Sequence, residues 1–201
     1  MFLSNPEPTE AVQRVYKSTS DAQGFVMNLA AAWAWRPDVF ESFAALRSQL
    51  TASSTLSKRD QALLVCAMAS QLGDSYCALA WGKVLAAQAG AAPAAAVLQG
   101  QSHPDLAARD LALTNWARKL VANPSSTTED DVASLRRAGL DDRAIFEVTA
   151  FIAFRLAFST VNDALGAAPD WQLVQSAPPE VRSAVNYGRA PESPPAAQPN
   201  Q

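Results

Sequence analysis

Apolar residues recur at the three- and four-residue spacing of amphipathic helices along most of the chain, and no segment alternates apolar and polar residues as a half-buried strand would. A 49% apolar composition with only eight glycines in 201 residues also favours helices over a turn-rich sheet protein. This length suffices for one domain with a substantial core. We therefore predict an all-α protein with a single domain over residues 1–175. A proline-rich, partly disordered tail is predicted over residues 176–201.

Caps, glycines and prolines set the ends of the predicted helices. The alanine-rich stretch around Pro93 is predicted to be flexible, and the start signal Ser102-His103-Pro104-Asp105 follows it. The predicted helices cover residues 9–18, 25–35, 38–50, 57–72, 76–89, 102–123, 127–139 and 141–165.

The stretch 56–90 combines two of these helices in a hairpin with a tight turn. Ser57 and Asp60 resemble a capping box, Gly73 ends the first helix, and Asp74 or Ser75 can cap the second. Cys77 then falls in the first turn of a helix, where the backbone dipole favours the reactive thiolate. Asp74 opposes this effect, because a nearby negative charge disfavours a second one.

The helix 141–165 is apolar on nearly every side, which predicts a buried central helix or an oligomer contact. We expect the hairpin 57–89 to pack against it. Apolar surface in excess of what one small bundle hides also predicts a homo-oligomer.

Charge and motifs argue against several other classes of protein. The formal net charge is -3 and no basic patch appears, so no nucleic-acid partner is expected. No signal-peptide pattern is present and the apolar runs are short, so we expect a cytoplasmic protein without a membrane contact. The chain has a single histidine, His103, and no glycine-rich phosphate loop, so we expect it to bind no metal and no cofactor.

Several short motifs follow one another along the chain. They are Gly24-Phe25-Val26-Met27-Asn28-Leu29, Leu56-Ser57-Lys58-Arg59-Asp60, Gly73-Asp74-Ser75-Tyr76-Cys77, Leu106-Ala107-Ala108-Arg109-Asp110, Thr127-Thr128-Glu129-Asp130-Asp131-Val132, Gly139-Leu140-Asp141-Asp142 and Asn162-Asp163-Ala164-Leu165-Gly166. In this order and spacing they resemble the alkylhydroperoxidase D and carboxymuconolactone decarboxylase superfamily, most closely its peroxidase-related branch. The resemblance covers roughly residues 9–175 and implies an all-α fold with a site at the hairpin.

The resemblance implies a peroxidase site whose usual residues are largely replaced here. Redox members carry a Cys-x-x-Cys pair, a His four residues later and a Glu one helix earlier. Only Cys77 matches, since the other positions hold Asp74, Trp81 and Ala62. Tyr76 is a common variant of a second His position, and Ser159-Thr160 falls where many relatives have Asn-Arg. The family also implies dimers, trimers or hexamers.

Each candidate residue has a structural alternative. Cys77 is a peroxide-reactive thiol or a small core residue, and Asp74 is an acid–base group or a helix cap. Tyr76 supplies a hydroxyl to the site or belongs to the core. Trp81 lines a pocket or packs in the core, and Asp60 lies near the pocket or caps its helix.

Cys66 is not expected to replace the missing partner thiol. It lies seven residues before Gly73 and Cys77 four after it. In an antiparallel hairpin their heights therefore differ by about 4 to 5 Å, across helix axes separated by about 8 to 10 Å. That spacing does not suit a disulfide.

Three functional hypotheses follow. The first is a peroxidase-like oxidoreductase in which Cys77 acts alone on a small peroxide and an external thiol resolves it. The second is a non-redox or degenerate member that binds a small organic ligand. The third is a decarboxylase-like or lyase-like enzyme on a small organic acid, with Asp74, Tyr76 or Asp60 transferring protons.

Overall fold

The computed structural model describes residues 1–195, which form eleven α-helices and no strand. The all-α prediction is therefore confirmed. The helices are α1 Glu10–Gln23, α2 Asn28–Trp33, α3 Pro37–Ala52, α4 Lys58–Leu72, α5 Ser75–Ala89, α6 Ala91–Leu98, α7 Ala108–Ala122, α8 Glu129–Arg137, α9 Asp142–Ala164, α10 Trp171–Ser176 and α11 Pro179–Ala184, with a short 3-10 turn at Pro124–Ser126.

Helix α4 is the centre of the fold. It packs against α5, α6, α7 and α9, and every residue from 62 to 69 is buried. Helix α9 buries only one face and leaves Phe146 70% and Phe154 37% exposed. The central position predicted for the long helix thus belongs to α4, and an oligomer contact on the exposed face of α9 stays a prediction.

The predicted hairpin forms from α4 and α5. Ser57 and Asp60 form the capping box that begins α4, and Gly73 ends it with a φ of 83°, a left-handed conformation that suits glycine. Helix α4 contacts α9 as predicted. The hairpin turn is thereby held at a fixed place beside the long helix.

Three departures from the predicted helices are larger than the rest. Helix α1 continues past residue 18 to Gln23. The stretch around Pro93 is not flexible but forms α6, because Pro93 lies in the first turn, where its missing N–H breaks no hydrogen bond. Helix α7 begins at Ala108 rather than near residue 102, since the Asp110 carboxylate accepts a hydrogen bond from the Ala107 backbone (3.0 Å) and caps the helix there.

The C-terminal region packs on the hairpin instead of forming a tail from residue 176. Helix α11 contacts α5 and α6, and Val181 and Ala184 are buried there. The fit is close, since a Cβ added to Gly82 would lie 2.7 Å from Val181 Cγ1. Ser75 Oγ also donates a 2.7 Å hydrogen bond to the Arg189 carbonyl. The prediction of disorder for residues 196–201 lies outside the described residues.

Helix α9 meets length and hydropathy criteria for a membrane span, with a mean hydropathy of 1.6 in its most apolar window. In the folded chain 44% of that window is buried. The core helix of a water-soluble protein meets the same criteria, so a single helix of this kind is weak evidence for a membrane.

Replacing Val181 by Ala tests the packing of α11. We expect Val181→Ala to lower the free energy of unfolding by roughly 1–3 kcal/mol, because it removes buried methyl groups and leaves a cavity. Val26→Ala, at a position 49% exposed, is the control and should change it by no more than about 0.5 kcal/mol. Equal small effects in urea unfolding would show that the C-terminal region does not pack on the hairpin.

Candidate active site

Cys77 lies in the first turn of α5, directly after the hairpin turn. Its backbone N–H donates a 2.9 Å hydrogen bond to Asp74 Oδ1, which makes Asp74 the N-cap of the helix. Asp74 is fully buried, and its other oxygen, Oδ2, accepts no hydrogen bond from the described residues. The structural alternative for Asp74, a helix cap, is therefore correct. Its buried negative charge also raises the pKa of the Cys77 thiol.

Two polar side chains of α9 contact the Cys77 thiol. Ser159 Oγ lies 3.3 Å from Cys77 Sγ, and Arg155 Nη2 lies 3.7 Å from it. Cys77 is 3% exposed, and Arg155 and Ser159 are buried with it. The start of α5 thus places the thiol against a cation and a hydroxyl in an enclosed polar environment.

Burial and the Asp74 charge raise the pKa of Cys77 to about 12, while Arg155 and Ser159 act in the opposite direction. Burial and the Asp74 charge therefore outweigh the stabilisation of the thiolate by the start of the helix. At neutral pH the resting side chain is therefore a protonated thiol.

Trp81 contacts Arg155, the cation beside the Cys77 thiol. The Arg155 guanidinium carbon is 5.0 Å from the centre of the Trp81 ring, and Lys58 Nζ is 4.8 Å from it. Both distances suit cation–π interactions. Trp81, one helical turn after Cys77, therefore packs against two cations.

Asp163 lies near both Asp74 and Arg189. Burial and the Asp74 charge raise the pKa of Asp163 to about 7, and Arg189 lowers it. Arg189 also donates a 2.9 Å hydrogen bond to the Asp163 carbonyl. The C-terminal segment therefore packs on the hairpin turn near the carboxylates of Asp74 and Asp163.

The Tyr76 hydroxyl donates to the Asp170 carboxylate, which also accepts a 2.9 Å hydrogen bond from the Asn28 backbone. Burial and the Asp170 charge raise the pKa of Tyr76. No hydrogen bond joins this hydroxyl to Cys77 in residues 1–195. Tyr76 thus fixes α5 against the segment before α10 and is not oriented for proton transfer at the thiol.

Asp60 forms its contacts at the start of α4 and with α7. Its carboxylate accepts a 3.1 Å hydrogen bond from the Ser57 backbone and lies 3.3 Å from Arg109 Nε. The paired Arg59 and Asp110 repeat this arrangement across α4 and α7. These carboxylates join the two helices, so the capping alternative for Asp60 is correct.

Cys66 is buried and unbridged, which confirms that it forms no disulfide with Cys77. Burial is the main cause that raises the pKa of the Cys66 thiol, and the charge of Cys77 adds to it. His103 lies in the loop before α7, where its Nδ1 accepts a 3.2 Å hydrogen bond from the Asp105 backbone.

The main residues that sequence reasoning did not assign to the site are Arg155 and Asn162. Together with Ser159 they occupy positions i, i+4 and i+7 of α9, and all three are buried. Polar residues at that spacing on one face of an otherwise apolar helix are a detectable signal. Asn162 Oδ1 accepts a 2.8 Å hydrogen bond from Trp33 Nε1, so this face joins the site to the aromatic core.

Solved structures with a similar fold come from peroxidase-related proteins. The match to an uncharacterized peroxidase-related protein from Silicibacter sp. TM1040 has a TM-score of 0.75 at 22% identity, covering 86% of this chain and 93% of that one. An uncharacterized peroxidase-related protein from Ralstonia eutropha JMP134, described as an alkylhydroperoxidase AhpD core, matches with a TM-score of 0.72 at 22% identity, covering 94% and 97%.

A third similar structure is the debrominase Bmp8, solved as a cysteine-to-alanine variant in complex with 2,3,4-tribromopyrrole. It has a TM-score of 0.70 at 15% identity and covers 92% of this chain and 96% of that one. No family model and no curated protein matches the chain. At these identities the likeness shows the fold, and the alkylhydroperoxidase D-like architecture expected from the motifs is confirmed.

The two charges flanking Cys77 predict opposite effects of two substitutions. In a Cys66→Ala background, Asp74→Asn should lower the pKa of Cys77 and keep the helix cap, because Asn caps as well as Asp. Arg155→Gln should raise it. A change of one pKa unit alters the thiolate fraction about tenfold, so the rate of alkylation by iodoacetamide at fixed pH reports both effects.

The matched control for Asp74→Asn is Asp141→Asn, which removes the charge of the α9 cap (2.8 Å to the Ala144 backbone). It should leave the alkylation rate unchanged. Equal rates in wild type, Asp74→Asn and Arg155→Gln would contradict the assigned electrostatics.

The raised pKa of Asp163 makes stability depend on pH. Its folded pKa of about 7 exceeds the ordinary 3.8, so between these values the unfolded chain loses the proton first and stability falls as pH rises. Asp163→Asn removes this loss. Relative to wild type, the variant should therefore gain stability as pH rises from about 4 to 8. Chemical unfolding at several pH values measures this gain, and parallel profiles of the two proteins would refute it.

Proposed function

We propose that this protein is a peroxidase-like oxidoreductase in which Cys77 reacts alone with a small hydroperoxide. The observation that carries the proposal is the contact of Cys77 Sγ with both the Arg155 guanidinium and the Ser159 hydroxyl. A cation beside a thiol favours the nucleophilic thiolate. The chain lacks the Cys, His and Glu that the family resemblance implies at this site, so Arg155 is the group that activates Cys77.

Arg155 and Ser159 take the roles that the usual relay would play. The guanidinium stabilises the thiolate and then the negative charge that develops on the leaving oxygen. The Ser159 hydroxyl donates a hydrogen bond to the peroxide and aligns its O–O bond with the sulfur. Both groups reach the thiol from one face of α9, so their placement requires no movement of the helix.

In the proposed reaction the Cys77 thiolate attacks the outer oxygen of the hydroperoxide. An S–O bond forms as the O–O bond breaks, and the inner oxygen leaves as an alcohol after taking the proton that Cys77 gave up. Cys77 is thereby oxidised to a sulfenic acid. An external thiol then attacks the sulfenic sulfur and releases water, and a second thiol breaks the mixed disulfide to restore Cys77.

The raised pKa of Cys77 makes this a slow peroxidase at neutral pH. Because only the thiolate reacts, turnover should rise with pH toward the pKa of about 12. The negative charge of Asp74 adds to the effect of burial on this pKa and so lowers the rate of reaction at neutral pH.

A second candidate function is non-redox binding of a small organic ligand. The same hypothesis includes a degenerate member with a structural role, and the observation that favours a non-redox protein is the 3% exposure of Cys77, together with the lack of a bridged partner thiol in residues 1–195. A lyase-like role has less support, because Tyr76 and Asp60 are engaged with Asp170 and Arg109. The homo-oligomer, the external thiol and the cytoplasmic location remain expectations.

Treatment with dilute hydroperoxide tests the peroxidase proposal. We expect a dimedone-trappable sulfenic acid at Cys77, detected by mass spectrometry, and thiol-dependent turnover that Cys77→Ser abolishes.

Cys66→Ala is the matched control, since Cys66 is the other buried cysteine, and this variant should keep turnover. An unmodified Cys77 after peroxide treatment would refute the proposal and leave a non-redox role, in ligand binding or in structure.

A further inference from the structure

A cavity of about 600 Å³ lies between the C-terminal ends of α4 and α6 and the segment that follows α11. Its volume is in the range of pockets that hold small molecules. Cys77 and the polar residues of α9 are not among its lining residues, so it is separate from the candidate active site. The cavity therefore provides space for a ligand that the peroxidase proposal does not involve.

Arg118 of α7 places a positive charge in the wall of this cavity. No described Asp or Glu lies within salt-bridge distance of Arg118, and the lining residues include neither a carboxylate nor a second cation. The side chain is half-buried, and burial lowers its pKa. An anion bound in the cavity offsets this loss of hydration.

Three hydrogen bonds fix the guanidinium of Arg118. Nη1 donates to the Ala67 carbonyl and to Ser70 Oγ, both at 3.2 Å, and Nη2 donates to the Val97 carbonyl. A guanidinium carries five N–H donors, so Nε and one hydrogen of Nη2 have no acceptor among the described residues. Nε is not one of the buried polar atoms without a partner in residues 1–195, so it is accessible to solvent. The guanidinium is thus held in place with two donors left for a ligand.

Side-chain amides surround this cation. They are exposed and take part in no hydrogen bond among the described residues, so each offers two donors and an acceptor to a bound molecule. The apolar lining residues Leu98 and Ala184 are buried, which leaves the cavity mainly polar. The amides are those of Gln71, Gln99, Gln101 and Asn186.

One cation among neutral amides restricts the class of ligand. A phosphate dianion needs a second cation for its second charge, and the ammonium group of an amino acid needs a carboxylate partner, but the lining residues supply neither. An apolar acid displaces water from the amides without replacing its hydrogen bonds. These requirements leave a molecule with one negative charge and several neutral polar groups.

We propose that this cavity binds a small hydroxylated monocarboxylate of the sugar-acid class, with its carboxylate on Arg118 and its hydroxyl groups on the surrounding amides. A carboxylate accepts hydrogen bonds from two nitrogens of one guanidinium. Hydroxyl groups both donate to and accept from amides, so either orientation of each amide is used.

This inference does not depend on the proposed function, because Cys77 does not line the cavity. Binding can therefore be measured in Cys77→Ser protein, in which the peroxidase chemistry is absent. Failure of the peroxidase proposal has no effect on the result.

Calorimetric titration of Cys77→Ser protein with D-gluconate, D-glucitol and hexanoate tests the inference. Glucitol has an alcohol where gluconate has its carboxylate, and hexanoate keeps the carboxylate but lacks the hydroxyl groups. At equal ionic strength we expect gluconate to bind roughly tenfold or more tightly than either of the other two. No binding of gluconate, or binding of glucitol or hexanoate as tightly as gluconate, would overturn the inference.

Arg118→Gln should remove the preference for gluconate over glucitol. Arg118→Lys should keep part of it, because the charge remains but the planar fork is lost. An unchanged preference in Arg118→Gln would show that the carboxylate does not bind at this residue.

A second variant leaves the hydrogen bonds of Arg118 to α4 and α6 intact. Gln71→Ala combined with Gln101→Ala should weaken gluconate binding about three- to tenfold, because hydrogen bonds to its hydroxyl groups are lost. The matched control is Gln13→Ala, at an exposed glutamine of α1, which should leave the affinity unchanged. Equal gluconate affinity in the double variant and in the control would contradict the assigned site.

Discussion

The hydrogen bond from the Cys77 backbone to Asp74 determines both the position and the reactivity of the candidate nucleophile. It begins α5 at the hairpin turn and holds Cys77 against α9. The carboxylate that makes this bond is fully buried, and its charge raises the pKa of the thiol it positions. The cap that begins the helix therefore also suppresses ionisation of the thiol in its first turn. One residue thus contributes to folding and limits chemistry at the same place.

The buried face of α9 supplies the opposing influence. Arg155 and Ser159 lie one helical turn apart and both contact the thiol, while Asn162 continues the face to Trp33. Helix α4 holds this arrangement in place, because it packs against both α5 and α9 and is buried from residue 62 to 69. A polar stripe in the core is stable only when its groups find partners. Here two of its groups, Arg155 Nε and Asn162 Nδ2, have no hydrogen-bond partner among the described residues, which costs stability.

The sequence predicted the helical class, the hairpin and the caps at Ser57 and Asp74, because these depend on local spacing and backbone chemistry. It did not predict that Tyr76 donates to Asp170, a partner 94 residues away, since such contacts depend on packing. The stretch around Pro93 was misjudged because composition suggested flexibility, whereas burial of Ala94 and Val97 stabilises a helix. Apolar residues on nearly every side of α9 suggested that it is the central helix. The central helix is α4, because α5, α6, α7 and α9 pack around it.

The proposed chemistry depends on how the charges of Asp74 and Arg155 balance at one sulfur atom. The most direct test is the ionisation of Cys77 itself, followed by carbon-13 NMR of Cβ-labelled cysteine in Cys66→Ala protein. The structure predicts a pKa well above the ordinary 9.0, near 12, so the thiol signal should persist through neutral and mildly alkaline pH. A Cys77 that titrates below 9.0 would contradict the account, because Arg155 and the helix start would then outweigh both burial and Asp74.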